Sequence, residues 1–329
     1  MQEEKLFRKD FVFIIIINFL VFLNHLAIAG MAVALFCVVS VVCRPFIGWM
    51  LDNGKRKMIL AVGLLGMLLM PLGYLFLHTL VLAFVCRMVH GAALAFSNTS
   101  TATIATDSVP RSRFAEATAV APAIGLALME KCGFSVLFLF GSLSIALALV
   151  LFFLLKAPNI AVEKKPLSVK GLFDKNAVPA SLTAVVFMFT YGALENFAAK
   201  FAAEKGLPSG GLFFVIMAVT VLIMRMTAGK VTDRHGEGIF AYSCNIAMFA
   251  AFLLLGLFPN TVTYLLAAVL SGFGFGGLEP ALQSMAVAIA PPEKRGSANS
   301  TFLCAYDIGI GIGGAIAGGL ISSFGYETM

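Results

Sequence analysis

Stretches of about 20 apolar residues, the length a helix needs to cross the hydrocarbon core of a bilayer, recur from one end of this chain to the other. They occupy residues 58–77, 80–105, 134–155, 178–201, 211–231, 239–257, 262–290 and 300–321. Eight membrane-spanning helices are expected from these runs alone. Composition points the same way: with 60% hydrophobic and 12% charged residues, too little polar surface exists to cover a soluble globule. Met1 to Asp10 carries charge without a small-residue cleavage site, so a removable signal is not expected. The cysteines Cys37, Cys43, Cys86, Cys132, Cys244 and Cys304 are scattered singly. They read as small core hydrophobes, and no metal site or cofactor is expected.

Two further regions fit whole spans less well. Phe11 to Met50 is one apolar stretch of 40 residues, about 60 Å as a helix and twice a bilayer core. It should hold two spans with a turn near residue 27, yet no polar loop divides it. Ala115 to Met129, between Arg111/Arg113 and Glu130-Lys131, offers 15 residues, about 22 Å, which is short for a crossing. The expectation is that segments near 26/27 and 116/117, and a last helix after Met329, are absent from the chain as given, so that about 11 of about 12 helices are represented.

Lysine and arginine loops stay on the cytoplasmic side. With alternating helices, Lys131, Lys200 and Lys205 stand alone on one side and Arg44, Arg87 and Arg225 lie inside helices. All the other members of the 23 Lys and Arg residues share the opposite side. The N-terminus is therefore expected in the cytoplasm, the protein in the cell inner (plasma) membrane. The net charge of +6 reads as a topology signal plus attraction to anionic lipid, and needs no nucleic-acid partner.

A spaced motif, Arg, three residues, Gly, three residues, Asp, occurs as Arg44/Gly48/Asp52 and again as Arg225/Gly229/Asp233, 181 positions on. A second echo, Pro110-Arg111-Ser112-Arg113 against Pro292-Glu293-Lys294-Arg295, repeats at 182 positions. Between the copies lies the longest polar segment, 157–177. The fold class expected is an all-α membrane protein of two pseudo-symmetric bundles: an N-terminal bundle 1–156, a cytoplasmic linker 157–177 and a C-terminal bundle 178–329 that lacks a last helix.

These residues resemble the major facilitator superfamily, and within it the bacterial drug-efflux and arabinose-efflux-like branch. The family's loop pattern G-x-x-x-D-R-x-G-R-R is matched by Gly229, Asp233, Arg234 and Gly236, and in the first copy by Gly48, Asp52, Arg56 and Lys57, with Asn53 and Lys55 departing from it. Its R-x-x-x-G-x-x-A motif looks like Arg87 to Gly91 followed by Ala92 and Ala93. Its antiporter motif G-P-x-x-G appears as Ala121-Pro122-Ala123-Ile124-Gly125. The run from Pro291 to Gly309 resembles the helix 10–11 region of the same branch. The resemblance implies proton-coupled antiport by alternating access.

The physical chemistry of the same residues can be stated independently. Gly48 and Gly229 let crossing helices approach closely. Asp52 and Asp233 at the rim can face the positive N-terminus of a helix in the opposite bundle. Arg56 and Arg234, with Arg113 nearby, can pair with rim acids such as Asp107. Together with Arg44 and Arg225 they form an expected cytoplasmic gate and switch, against the plainer reading that they only set topology. Buried charges cost at least about 2.5–3.5 kcal/mol on insertion scales and are usually retained for a pathway or relay. Glu195, Glu279, Asp307 and Arg87 are the candidates for a substrate or proton site. Asn18, Asn24 and His25 give the first helix a polar face that could line the cavity or bond to neighbouring helices. Glu279 could alternatively cap backbone freed by Pro280, Asp307 could be a packing acid, and His90 is placed to orient Arg87. Phe197 and Phe275 could wall a site for an amphiphile. Ala305, Gly309, Gly313 and Ala317 form a small-residue seam, while Gly272 to Gly277 could let their helix bend.

No nucleotide-binding loop, zinc-protease motif or serine elbow occurs, so an enzyme or ATP-driven pump has no support. The function expected is proton-coupled export of a small amphipathic organic compound by a monomer in the lipid bilayer. Proton-coupled import of a sugar or organic anion is the alternative within transport. A non-transporting receptor or scaffold is the alternative outside it.

Overall fold

A computed structural model describes residues 33–75, 79–108, 125–155 and 166–324. Among these residues the protein is helical throughout. The long helices are α1 (Val33–Asp52), α2 (Arg56–Tyr74), α3 (Leu80–Ser108) and α4 (Gly125–Leu154), then α6 (Val178–Glu204), α7 (Gly210–His235), α8 (Glu237–Leu257), α9 (Thr261–Ala288) and α10 (Arg295–Phe324). The short α5 (Val169–Leu172) and a 3₁₀ turn at Lys175–Ala177 carry the linker. Among the described residues seven helices are long and apolar enough to cross a membrane, and Leu139–Leu154 of α4 is a shorter apolar stretch.

Each apolar run expected to span is helical where it is described, and seven of the eight are long and apolar enough to cross. Apolar side chains face outward along stripes, such as Val38, Val42 and Phe46 on α1 and Ile239, Tyr242, Ile246, Phe249 and Leu253 on α8, as lipid-solvated helices require. The inward faces carry the polar groups: Ser40 and Arg44 on α1 and Ser97, Thr99, Thr103 and Thr106 on α3 are all fully buried or nearly so. Glu130-Lys131 does not break a helix, because α4 runs through it from Gly125. The proposed turn near 27, the polar trio Asn18, Asn24 and His25, and Arg113 lie outside the described residues, as does the junction near 116/117.

The helices pack in two groups, α1–α4 and α6–α9 with α10, and α10 joins them by lying against α1 and α3 as well as α6. Glycines make these contacts possible. A Cβ on Gly309 would sit 2.6 Å from the Val185 carbonyl oxygen, one on Gly192 2.4 Å from the Ile310 oxygen, and one on Gly313 2.0 Å from the Phe189 oxygen. The backbones of α6 and α10 therefore touch along the expected seam, where any larger residue is excluded. The glycines of α9 have the same use. Gly272 and Gly276 abut Met217 and Val221 of α7, and Gly274 abuts Cys244 of α8, so the run serves close packing on two sides.

A break in the backbone ladder is met from the opposite group. Pro45 within α1 has no N–H for the Val41 carbonyl, and Cys304 Sγ of α10 lies 3.4 Å from that oxygen. Ser300 Oγ of α10 donates to the Arg44 carbonyl one turn further on. In lipid the Val41 carbonyl freed by Pro45 has no water to turn to.

Candidate functional site

The end of the molecule at which α1, α3 and the linker meet the start of α10 is closed by a set of charge-assisted contacts. Asp52, last residue of α1, accepts hydrogen bonds from Gly296 N (2.7 Å) and Ser297 N (2.9 Å). These are first-turn amides of α10, which have no partner inside their own helix and carry its positive dipole end. The approach depends on Gly48: a Cβ there would lie 2.6 Å from Ser300 Cβ and 2.9 Å from the Gly296 oxygen. Asp107 of α3, its side chain fully buried, is gripped from both groups of helices. Arg56 Nε reaches it at 2.7 Å and Arg295 Nη1 at 3.2 Å. Arg56 also donates to the carbonyls of Leu51 and Pro292, both at 3.1 Å. Beside these contacts a cleft of about 360 Å³ opens between α1, the linker and α10, lined among others by Trp49, Asp52, Phe173, Lys175, Glu293 and Lys294.

Two to three turns further into the bundle lies a buried ion pair that also crosses between the groups. Arg44 of α1 holds Asp307 of α10 in a fork, Nε to Oδ2 at 2.8 Å and Nη2 to Oδ1 at 3.0 Å. Arg44 Nη1 donates to Thr99 Oγ1 at 3.0 Å, and Ser40 Oγ donates to Asp307 Oδ2 at 2.5 Å. All four residues are buried. Every strong donor and acceptor in the group has a partner, which is the condition for tolerating charge in low dielectric.

Two further arrangements surround the centre. Arg225 of α7 pairs with Glu279 of α9, within one group of helices, and its guanidinium lies 5.8 Å from the Phe275 ring centroid. Phe275 stacks on Tyr191 of α6 at 4.1 Å, with planes 12° apart. One turn after Tyr191 comes Glu195, half-buried. Among the described residues no side chain hydrogen-bonds or ion-pairs with it, and the cation within electrostatic reach is Arg87 of α3. Arg87 is buried, its guanidinium lies 4.9 Å from the Phe36 ring centroid, Tyr74 is a neighbour of it, and no carboxylate among the described residues ion-pairs with it. His90 packs edge-on against the same Phe36 ring, centroids 5.7 Å apart. Phe197 faces Gly318 of α10.

The sequence-selected residues thus fall into three places. Gly48, Asp52, Arg56 and Asp107 meet at the closed rim, Arg44 and Asp307 form the mid-depth pair, and Glu195, Arg87, Glu279 and Arg225 surround the centre. The side chains of Asp233 and Arg234, and what surrounds Gly229, are outside the described residues. Sequence reasoning missed Arg295, Ser40 and Thr99. Arg295 was discoverable, since its Pro-Pro-Glu-Lys-Arg run echoes the one holding Arg113. Ser40 and Thr99 carry no linear signal.

An all-helical bundle with lipid-facing apolar stripes and a charged inner seam is the build of a membrane transporter. The profile of the Major Facilitator Superfamily matches residues 10–234 and again 180–329. The chain belongs to that superfamily. An uncharacterized MFS-type transporter of Burkholderia mallei is 28% identical over 220 residues, 65% of this chain and 52% of that protein. One of Pseudomonas aeruginosa is 27% identical over 176 residues, 53% and 43% of the two chains. The chain spans about half the length of the curated relatives it matches. In fold it is similar to the human organic anion transporter MFSD10, with a TM-score of 0.77 at 15% identity over 96% of this chain and 94% of that one. A bacterial homologue of the iron transporter ferroportin gives 0.71 at 14% identity over 98% and 94%.

Proposed function

We propose that the protein is a secondary transporter that rocks two bundles, 1–156 and 178–329, about the linker 157–177, and exports a small amphipathic organic compound in exchange for protons. It acts as a monomer in the plasma membrane with the N-terminus and the closed rim in the cytoplasm. The observation that carries this reading is Glu195. Among the described residues no side chain hydrogen-bonds or ion-pairs with it; a carboxylate so placed at membrane depth is costly, and it is tolerated where it exchanges a proton or meets a charged ligand. The aromatic pair Tyr191/Phe275 one turn away offers an apolar face beside it. Glu279 and Asp307, each already held by an arginine, are the further proton-carrying candidates. The rim contacts of Asp52 and Asp107 serve as the gate that shuts one side while the other opens.

The test is flux in proteoliposomes against a panel of amphipathic compounds, with and without an imposed pH gradient. Gradient-driven flux is expected in the wild type and is lost in Glu195→Gln. Flux that ignores the gradient in both proteins overturns proton coupling. A second reading, uptake of an organic anion, is favoured by the buried guanidinium of Arg87, which no carboxylate among the described residues ion-pairs with. It predicts substrate-dependent protection of Arg87 and loss of uptake in Arg87→Gln.

A further inference from the structure

We propose that the compound carried is a zwitterion, an ammonium carboxylate with an apolar body, whose cationic group meets Glu195 of α6 and whose anionic group meets Arg87 of α3. This deepens the transport reading above and rests on it in one respect, that the compound binds at the centre of the bundle.

The balance of charge at membrane depth carries this. Between described residues the ion pairs are Arg44 with Asp307, Arg225 with Glu279, and Arg56 and Arg295 with Asp107. Glu195 and Arg87 are left, one charge of each sign, on opposite groups of helices. Their depths agree. Arg87 stands about 10 Å along α3 from its start at Leu80, and Glu195 about 14 Å along α6 from its end at Glu204. Both of those ends lie away from the rim, because α3 reaches the rim with Asp107 and α6 leaves the linker at Val178. Arg87 acts electrostatically on Glu195, and Cys37, beside Phe36 on α1, is within reach of both. The two charges therefore confront each other beside the Cys37 turn of α1, across a gap wider than an ion pair.

Each class of ligand meets that balance differently. An anion on Arg87 leaves Glu195 a bare charge in low dielectric, and a cation on Glu195 does the same to Arg87, which is the costly arrangement for buried charge. A neutral compound leaves both charges bare. A zwitterion satisfies both at once and brings no net charge into the membrane interior. The surroundings of each charge set which end goes where. Beside Glu195 lie the stacked rings of Tyr191 and Phe275, and aromatic faces attract an ammonium as well as the hydrocarbon next to it. Tyr306 of α10 stands within reach of the same carboxylate. Arg87 offers a planar guanidinium over the Phe36 ring, with Tyr74 beside it. Such a fork matches a carboxylate in geometry as well as in charge.

The test is binding in nanodiscs, without any gradient, to a matched series of compounds on one body. The series comprises arylalkyl amino acids of increasing amine-to-carboxylate spacing, their methyl esters as cations, their N-acetyl forms as anions, and the doubly blocked compounds as neutral members. For at least one spacing the wild type is expected to bind the zwitterion at least about tenfold more tightly than every blocked relative. Glu195→Gln should lower that affinity by about tenfold or more and turn the preference toward the N-acetyl anion, whereas Arg87→Gln should turn it toward the ester. Opposite shifts of preference are not what a merely structural role of either residue produces. The fold of each variant is checked by an inter-label distance across the rim, with labels on cysteines at the exposed positions Lys55 and Lys294 in a background whose native cysteines are replaced. Either variant alone decides, so one that does not fold leaves the other to answer. Absence of zwitterion binding, or blocked relatives that bind as well at every spacing, overturns the proposal. A variant that loses affinity with its order of preference unchanged overturns it too. Zwitterion binding that persists where gradient-driven flux fails supports it and overturns proton coupling alone.

Discussion

The two copies of the Arg-x₃-Gly-x₃-Asp motif behave differently. In the first, every signature residue reaches across to α10: Arg44 to Asp307, Gly48 against Gly296 and Ser300, Asp52 onto the first-turn amides. In the second, Arg225 turns into its own group of helices and pairs with Glu279. The sequence explains the difference at one position. At the 181-residue offset Glu279 corresponds to Asn98, and at 182 to Ser97, neither of them an acid. Among the described residues Arg44 meets no carboxylate of its own group; it takes one from the opposite side, with Thr99 as its local partner. Arg225 has one at home. A motif fixes where a charge stands, and the neighbouring helix decides whether that charge binds the halves together or stiffens one of them.

The largest effect that would break this contrast comes from removing each arginine. Arg44→Met strands Asp307 in the interior and should cost roughly 3–5 kcal/mol, seen as a large drop in thermal midpoint in nanodiscs together with a loosened rim. Arg225→Met should lower the midpoint while leaving the rim distance unchanged. A loosened rim in both variants would erase the distinction. Next in size is Gly48→Leu. Its side chain has no room against Ser300 and Gly296, and the closed population should fall at least about tenfold, or about 1.4 kcal/mol. The matching Gly229→Leu sharpens the comparison, since an equal loss would mean that the second copy makes a like crossing.

Smaller effects belong to the rim. Asp52→Asn keeps an acceptor but loses the charge facing the α10 dipole, about 0.5–2 kcal/mol of closure, read from the same inter-label distance. Arg295→Ala removes the cross-group grip on Asp107 while Arg56 stays, and should weaken closure by about 1 kcal/mol. Arg56→Ala, which also frees the Leu51 and Pro292 carbonyls, should exceed it. The reverse order would show that Asp107 is held mainly from the second group.

Much of the fold was legible because membrane helices announce themselves by length and apolarity. Each of the eight runs forms a helix in the structure. The misreading at Glu130-Lys131 has a plain cause: two adjacent charges suggest a turn, but a helix tolerates them where they sit beyond its apolar stretch. Rim residues could be chosen because a carboxylate does nothing for the positive-inside bias and so calls for another reason to be there. The partners were not legible. Arg44 meets Asp307 across 263 positions and Asp52 meets Gly296 across 244, and such pairings depend on packing that leaves no periodic trace. Arg225 and Glu279 were selected separately, as were Arg44 and Asp307, and only coordinates match each arginine to its acid.

The glycine seam between α6 and α10 has a mechanical consequence. With Gly192, Gly309 and Gly313 bringing the two backbones into contact, no compressible layer of side chains separates them, and the pair moves as one stiff beam. Its base is pinned to the first group through the amides on Asp52, and Glu195 rides on its flank one turn from Gly192. In the rocking proposed above, a tilt begun at the base would arrive at that carboxylate undamped, through rigidity alone.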